Sequence, residues 1–438
     1  MYHAYVTKLE NVRKHPNADR LLLADCFGNT VCVSLDFTEG QTVIYFPTDG
    51  QLSAEFAHAN HLCRKDVNGQ PDTGYLDPDK RNIRAIKLRG EKSDGLAMPL
   101  NCLEAFGDIS TLRVGDTIDV FNGHEICKKY IPRGRKSGPH TGGNRVRKKK
   151  APIAPLFLEH ADTEQLAYNL AAFKPGDLIE ITLKVHGTSQ RTGYLPVLNG
   201  YKRTFWDRIR RREGTPIYDW GYITGTRRVV LETYEGGFYG NNGFREPHAK
   251  FFEGKLWKGE EVYYEVCGFT DTGAPIMPSV SNKPTNDKDF IKRYGETTTF
   301  SYGCEAPNSR IFVYRMTMTN PDGEVVEYTP DFMRYRCALM GVECVPVLWH
   351  GFIPKVAKDY AGTWIKDVTE DYYDGPDPIG ETHVREGVVI RIVNRPKFTA
   401  YKHKNFFFKV IEGIAKDTAA APDMEEAEEV VEDEMSIS

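Results

Sequence analysis

Over residues 1 to 127, hydrophobic and polar positions alternate in short runs broken by Gly and Asp, the pattern of half-buried strands joined by turns. TVCVSLD (Thr30–Asp36) and QTVIYFPTDG (Gln41–Gly50) alternate in this way, and RAIKLRGEKSDGLAMPL (Arg84–Leu100) reads as strand, turn and strand. A small closed β-barrel is the expected solution for such a segment. Residues 128 to 152 show almost no core-forming pattern and read as a linker rich in Gly and Pro. From 153 to 416 the pattern is mixed: strands, some helix and many aromatic residues, without a Rossmann or P-loop glycine signature. The expected fold class is α+β, with a tail at 417–438.

Charge sharpens these boundaries. The formal net charge is −4, yet from Asp417 onward the chain carries nine acidic residues and no basic one, so residues 1–416 stand at +5. Acidic tails of this kind are ordinarily solvated and disordered. The linker runs the other way: Lys128, Lys129, Arg133, Arg135, Lys136, Arg145, Arg147, Lys148, Lys149 and Lys150, with no acid among them. A solvated tether and a phosphate-backbone contact both fit that density. A second basic-aromatic cluster, YKRTFWDRIRRREG, lies around Arg208 to Arg212.

Other features exclude function classes. No apolar run approaches membrane-spanning length, and MYHAYVTKLENVRKHP lacks a signal-peptide core. The nine cysteines are scattered without a C-x-x-C pair, which fits a reduced, cytoplasmic setting. His58, His61 and Cys63 cluster in HANHLC, but no second ligand pair follows, so a surface loop is expected rather than zinc.

The chemistry-bearing segment is DLIEITLKVHGTSQRTGYL (Asp177–Leu195). Ile179, Ile181 and Leu183 alternate with Glu180, Thr182 and Lys184, so one strand face is buried and Lys184 points the other way. His186 and Gly187 then turn the chain. K-x-x-G occurs four times, at Lys87, Lys92, Lys184 and Lys292, and Lys92 has the K-x-D-G form. Only Lys184 opens a domain in which matching carboxylates and lysines follow in order.

That order resembles the covalent nucleotidyltransferase superfamily and, within it, the ATP-dependent RNA ligases. KVHGTS is similar to their nucleophile motif, with Lys184 as the amine that takes AMP and His186, Gly187 and Ser189 beside the nucleotide; Ser189 stands where many relatives carry Asn. TGTRRVV resembles the next basic motif, with Arg227 on phosphates. VYYEVCGF, with Glu265, resembles the ribose-binding motif. RIFVYRM, with Phe312 and Tyr314, takes the place of the strand whose aromatic stacks on adenine. REGVVIRI, with Glu386, matches the acidic metal motif, and AYKHKNFFFK, with Lys402 and Lys404, the paired-lysine motif. The resemblance covers nearly all of 153–416 and implies a nucleotidyltransferase domain built on antiparallel sheets. HPNADRL (His15–Leu21) and the strands after it resemble the OB-type modules of tRNA-binding domains. Together these narrow the likeness to the Deinococcus-type RNA ligases, which implies sealing of nicks in duplex RNA; a monomer is expected.

The residue types suit that chemistry. A free lysine has a pKa of about 10.4, so at pH 7 only roughly one in 2,500 is a nucleophile, and nearby cations lower that barrier. Lys402, Lys404 and a metal would supply them and neutralise the α-phosphate as pyrophosphate leaves. Glu265 and Glu386 offer hard oxygen ligands for Mg2+ or Mn2+. Two alternatives stay open: a capping-type RNA guanylyltransferase, which shares the nucleophile, and a non-catalytic RNA-binding protein.

Overall fold

The computed structural model describes residues 2–131, 151–161, 163–209, 214–231, 233–234, 243–357 and 360–417. The chain divides into two compact units, both discontinuous. The first takes Met1–Gly134, Val280–Thr298 and Lys404–Pro422, and the second the remainder.

In the first unit, a four-stranded antiparallel sheet runs in the order Thr117–Ile118, Ala4–Lys8, Thr42–Phe46, Leu96–Pro99. A separate meander joins Glu10–Lys14, Leu22–Cys26 and Asn29–Val33, and Ala85–Leu88 pairs with Glu91–Asp94 as a hairpin. Among the described residues these ladders stay separate, so hydrogen bonding does not close the expected barrel. The break falls at a corner. Leu9 is fully buried and its N–H bonds to Gln41, while Asn11 takes φ 53°, a left-handed geometry that Asn tolerates. The chain therefore leaves one sheet and enters another instead of bridging them.

Val6, Ile44, Phe46, Leu52, Phe56, Leu103 and Ile126 form the main core of this unit. HANHLC is a largely exposed helix end and turn. It ends the helix Ala54–Ala59, with Cys63 fully buried and His61 on Asp72 at 3.0 Å. The HPN stretch acts as a clip. The buried His15 bonds the Leu88 carbonyl at 3.0 Å and accepts from the Asn17 N–H at 3.1 Å, and Asn17 donates to Arg89 O.

Chain segments from far along the sequence complete this unit. The helix Phe406–Asp417 packs Phe406 and Val410 against Ala85, and Phe407 stacks on Phe290 at 4.8 Å. Lys409 reaches Asp94 at 2.6 Å, Lys87 reaches Asp287 at 2.7 Å, and the Lys92 ammonium lies over the Phe406 ring at 5.2 Å. Lys128 and Lys129, read as linker, belong to a strand, Cys127–Lys129, paired with Gly50–Leu52. The remaining linker cations and the acidic residues beyond Asp417 lie outside the described residues.

The second unit is built on two five-stranded sheets. One runs Glu164–Gln165, Ala400–Lys404, Gly387–Ile392, Leu178–Leu183, Val347–Phe352; its first pair is parallel, and Leu178–Leu183 is antiparallel to both of its neighbours. The other runs Thr215–Gly225, Thr188–Lys202, Glu260–Gly268, Ser309–Thr319, Val325–Glu327, antiparallel throughout. The fold is thus mixed helix and sheet with predominantly antiparallel pairing. The polar face of Leu178–Leu183 is not solvated: Glu180 is buried, and Arg334 meets it at 2.7 Å. Alternation showed two faces, but Arg334, from the helix Pro330–Met340, pairs with Glu180 on the second one. Among the described residues no helix is long and apolar enough to cross a membrane.

Candidate active site

Lys184 follows directly on the strand Leu178–Leu183, whose ladder pairs Leu183 with Val388. Its own N–H donates to the Gly387 carbonyl at 3.0 Å. This register sets the side chain beside the residue before Gly387. The Lys184 Nζ lies 2.8 Å from Glu386 Oε1, with the lysine side chain 25% exposed and the glutamate 2%. The second carboxylate oxygen lies 3.7 Å from His186 Nδ1.

His186 is fixed from two sides. Its N–H donates to the Tyr302 hydroxyl at 2.6 Å, and its ring meets Phe300 edge-on at 4.6 Å. Gly187 is required by close approach. A Cβ there would stand 2.3 Å from the Val266 carbonyl oxygen and 2.9 Å from Glu265 Cγ. The other three K-x-x-G runs use glycine differently. Gly90 turns the Lys87 hairpin at φ 97°, and Gly295 at φ 79° ends the helix carrying Lys292. Gly95, beyond Lys92 at φ 116°, also lies in close approach, since a Cβ there would stand 2.6 Å from the Tyr45 ring.

Beyond Gly187, cross-strand register makes a row. Ser189 pairs with Glu265, and Glu265 with Phe312, so all three face one side of the sheet. A bulge lies at Tyr314: Tyr264 pairs with Val313 and Tyr263 with Arg315, leaving Tyr314 unopposed. It turns onto the same face, where its hydroxyl and Ser189 Oγ are 2.9 Å apart. Phe312 is 2% exposed, with the Arg310 guanidinium 5.2 Å from its ring, whereas Tyr314 is half-buried.

Arg227 rides on a loop held by a residue the sequence did not single out. Arg191, 1% exposed, donates to Thr226 O at 2.9 Å and Arg228 O at 3.2 Å, and stacks over Phe157 at 3.9 Å. Its partner Glu261 lies 3.4 Å away. Burial pushes the Glu261 carboxyl up to about 7, with Arg191 pulling the other way.

Lys402 lies on Ala400–Lys404 opposite Gln165 and is half-buried, while His403 points away to Glu370 at 3.4 Å. Lys404 belongs to the first unit and holds both oxygens of Glu412 at 2.8 Å. Geometry therefore brings Lys184, His186, Gly187 and Glu386 together at one strand end, and Ser189, Glu265, Phe312 and Tyr314 along one sheet face.

His160 was also missed. Its ring is edge-on to Tyr314 at 5.0 Å and to Phe398 at 5.7 Å, and Arg315 Nη1 donates to its Nδ1 at 3.3 Å. Burial pushes His160 well below the usual histidine range, and Arg315, Arg227 and Arg191 act in the same direction. It is a neutral acceptor. Arg315 in turn grips Glu327 at 2.9 Å, which Arg391 shares at 3.4 Å. No spacing pattern marks His160, but an arginine inside the apolar strand RIFVYRM was a legible signal.

The donor chemistry fits a hard divalent cation. Glu386 and Glu265 are carboxylates, yet no group of three or more His, Cys, Asp or Glu among the described residues is arranged to hold a metal. Such a set suits Mg2+ or Mn2+ held by one or two carboxylates with substrate phosphates and water, not a protein cage.

The fold is similar to that of a solved RNA ligase. A Naegleria gruberi RNA ligase, solved as a lysine-to-alanine mutant with ATP and Mn, matches with a TM-score of 0.53 at 15% identity, over 95% of this chain and 99% of that chain. The same ligase with PPi matches at 0.52 and 15% identity over 92% and 96%. A glutamate-to-alanine mutant with AMP and Mn gives 0.52 and 14% over 93% and 97%. No family model matches the sequence, and no curated protein does.

Proposed function

We propose that this chain is an ATP-dependent RNA ligase working through lysyl-AMP at Lys184. The observation that carries the reading is the Lys184–Glu386 contact of 2.8 Å at a strand end, in a fold shared with an RNA ligase solved with ATP and Mn. The amine attacks the α-phosphorus of ATP. The Lys184 ammonium first gives up a proton to water, and Glu386, in contact with it, stays a carboxylate. As the N–P bond forms, the bond from phosphorus to the bridging oxygen breaks and pyrophosphate leaves with that electron pair. AMP then passes to an RNA 5′-phosphate, and a 3′-OH displaces it.

Glu386 and Glu265 would hold Mg2+ or Mn2+, which neutralises phosphate charge when bound. Ser189 and Glu265, adjacent in register, face the ribose. Tyr314 and Phe312 serve the adenine, and Arg227 the phosphates. Lys402 and Lys404 would supply positive charge to the α-phosphate, as the paired-lysine motif implies. His160, neutral and bonded to Arg315, holds Tyr314 from behind.

The finer reading is of the Deinococcus type: an OB-like module at 1–127, a basic linker at 128–152, a nucleotidyltransferase domain at 153–416 and an acidic tail at 417–438. The favoured substrate is a nick in duplex RNA, and the protein acts as a cytoplasmic monomer. Labelled ATP and labelled GTP, offered separately, test the reading. Covalent label from ATP is expected; label from GTP alone would make the chain a guanylyltransferase, and label from neither a binding protein.

A further inference from the structure

The strands Thr188–Lys202 and Thr215–Gly225 outrun the sheet that holds them. Glu260–Gly268 pairs with Thr188 to Gly193 only, so the rest forms a two-stranded arm. Its base is backed by Ala154, Phe157, Leu195 and Ile223, and the Leu198 N–H still donates to Ile153. Beyond a bulge at Asn199 come three more rungs, ending at Lys202 opposite Thr215.

The tip beyond is unusually apolar for an exposed position. Phe205 is 72% exposed and Trp206 63%, their rings edge-on at 5.9 Å. The turn beneath them is pinned: Asp207 accepts from the Thr204 N–H at 2.9 Å and hydroxyl at 2.6 Å, and the Asp207 N–H donates to Thr204 Oγ1. That ties up Asp207, one of two acids against six basic residues in the sequence of 201–214. Lys202 and Arg203, just before Phe205 in the chain, are exposed.

A protein-docking patch would surround such rings with mixed charge. Aromatic faces amid cations of one sign fit a polyanion with flat, stackable groups. We infer that this tip is an RNA-stacking surface: Phe205 and Trp206 take unpaired bases, and Lys202 and Arg203 the phosphates beside them. The inference deepens the ligase reading and rests on it for its choice of RNA.

The test uses the full chain and a labelled unpaired RNA oligonucleotide, read by fluorescence anisotropy across salt concentrations, with covalent AMP uptake measured in parallel. Phe205→Ala/Trp206→Ala is expected to weaken binding about tenfold, about 1.4 kcal/mol, at every salt concentration. Lys202→Ala/Arg203→Ala is expected to weaken it chiefly at low salt and to flatten the salt slope by about 0.7 for each phosphate left without its cation. Trp206→Phe retains most of the affinity, and all three variants take up AMP as the wild type does. Unchanged RNA affinity in the aromatic double variant, with normal AMP uptake, overturns the arm and leaves the ligase reading standing. So does unchanged affinity together with lost self-association in sedimentation, which would seat a second copy there. Loss of RNA affinity beside a wild type that takes up no AMP upholds the arm and removes the ligase reading instead.

Discussion

A carboxylate buried as deeply as Glu386 is costly unless a cation faces it, and Lys184 supplies that cation at 2.8 Å. Charge and nucleophile can therefore be separated by substitution. Lys184→Arg keeps a cation on Glu386, so its thermal midpoint should stay near that of the wild type while covalent AMP disappears. Lys184→Ala should lose both, with destabilisation of about 3 kcal/mol on denaturant unfolding. Lys92→Ala, which removes only an ammonium lying over Phe406, should still take up AMP. Label retained by Lys184→Arg and lost from Lys92→Ala would transfer the nucleophile to the first unit. At this scale, spacing alone could not rank four K-x-x-G lysines. Their glycines are told apart by backbone angle and by what stands against them, neither of which is local in sequence.

The elements show where alternation works and where it stops. The strands Thr42–Phe46 and Leu178–Leu183 fall where alternating runs are read, whereas Glu260–Gly268, buried on both faces, carries no such run. The opposite face of Leu178–Leu183 could not be read that way, since Arg334 arrives from a helix 154 residues later. The short helix Glu246–Phe251 gives a pH test. Its His248 accepts or donates at 2.8 Å to Ser309 Oγ, and burial, with Arg245, lowers it to about 4. Its folded value lies below the ordinary 6.5, so the group contributes nothing above that pH. As pH falls from 6.5 toward 4, the unfolded chain binds a proton the native state refuses, and stability is lost. Because the ring is only partly covered, about 1 kcal/mol should go between pH 6.5 and 5. Urea titrations at pH 7 and pH 5 should show this loss in the wild type and a smaller one in His248→Gln. Equal losses would remove the argument.

At the scale of the whole molecule, charge and connectivity matter most. The linker cations Lys148, Lys149 and Lys150 carry a prediction made from sequence alone. Their joint replacement by Ala should weaken binding to nicked RNA and lower its salt slope by up to about 0.9 for each phosphate no longer neutralised, with AMP uptake unchanged. Equal affinity at low salt would reduce the stretch to a tether. The first unit is ruled by connectivity instead. It gathers Val280–Thr298 and Lys404–Pro422 onto residues from the beginning of the chain, through Lys87–Asp287 and Lys409–Asp94. No local pattern announces a pairing across 200 or 315 residues.

By itself the sequence determined the strand-rich character of both halves, the acidic and basic runs, and the position of Lys184 at a strand end, because periodicity and charge are properties of neighbours. Tertiary structure alone decided that Glu386 faces that lysine, that Arg191 clamps the Arg227 loop, and that His160 stays neutral behind Tyr314. Each of those depends on burial and on partners from distant strands, and desolvation is set by everything that packs around a group, not by what precedes it in the chain.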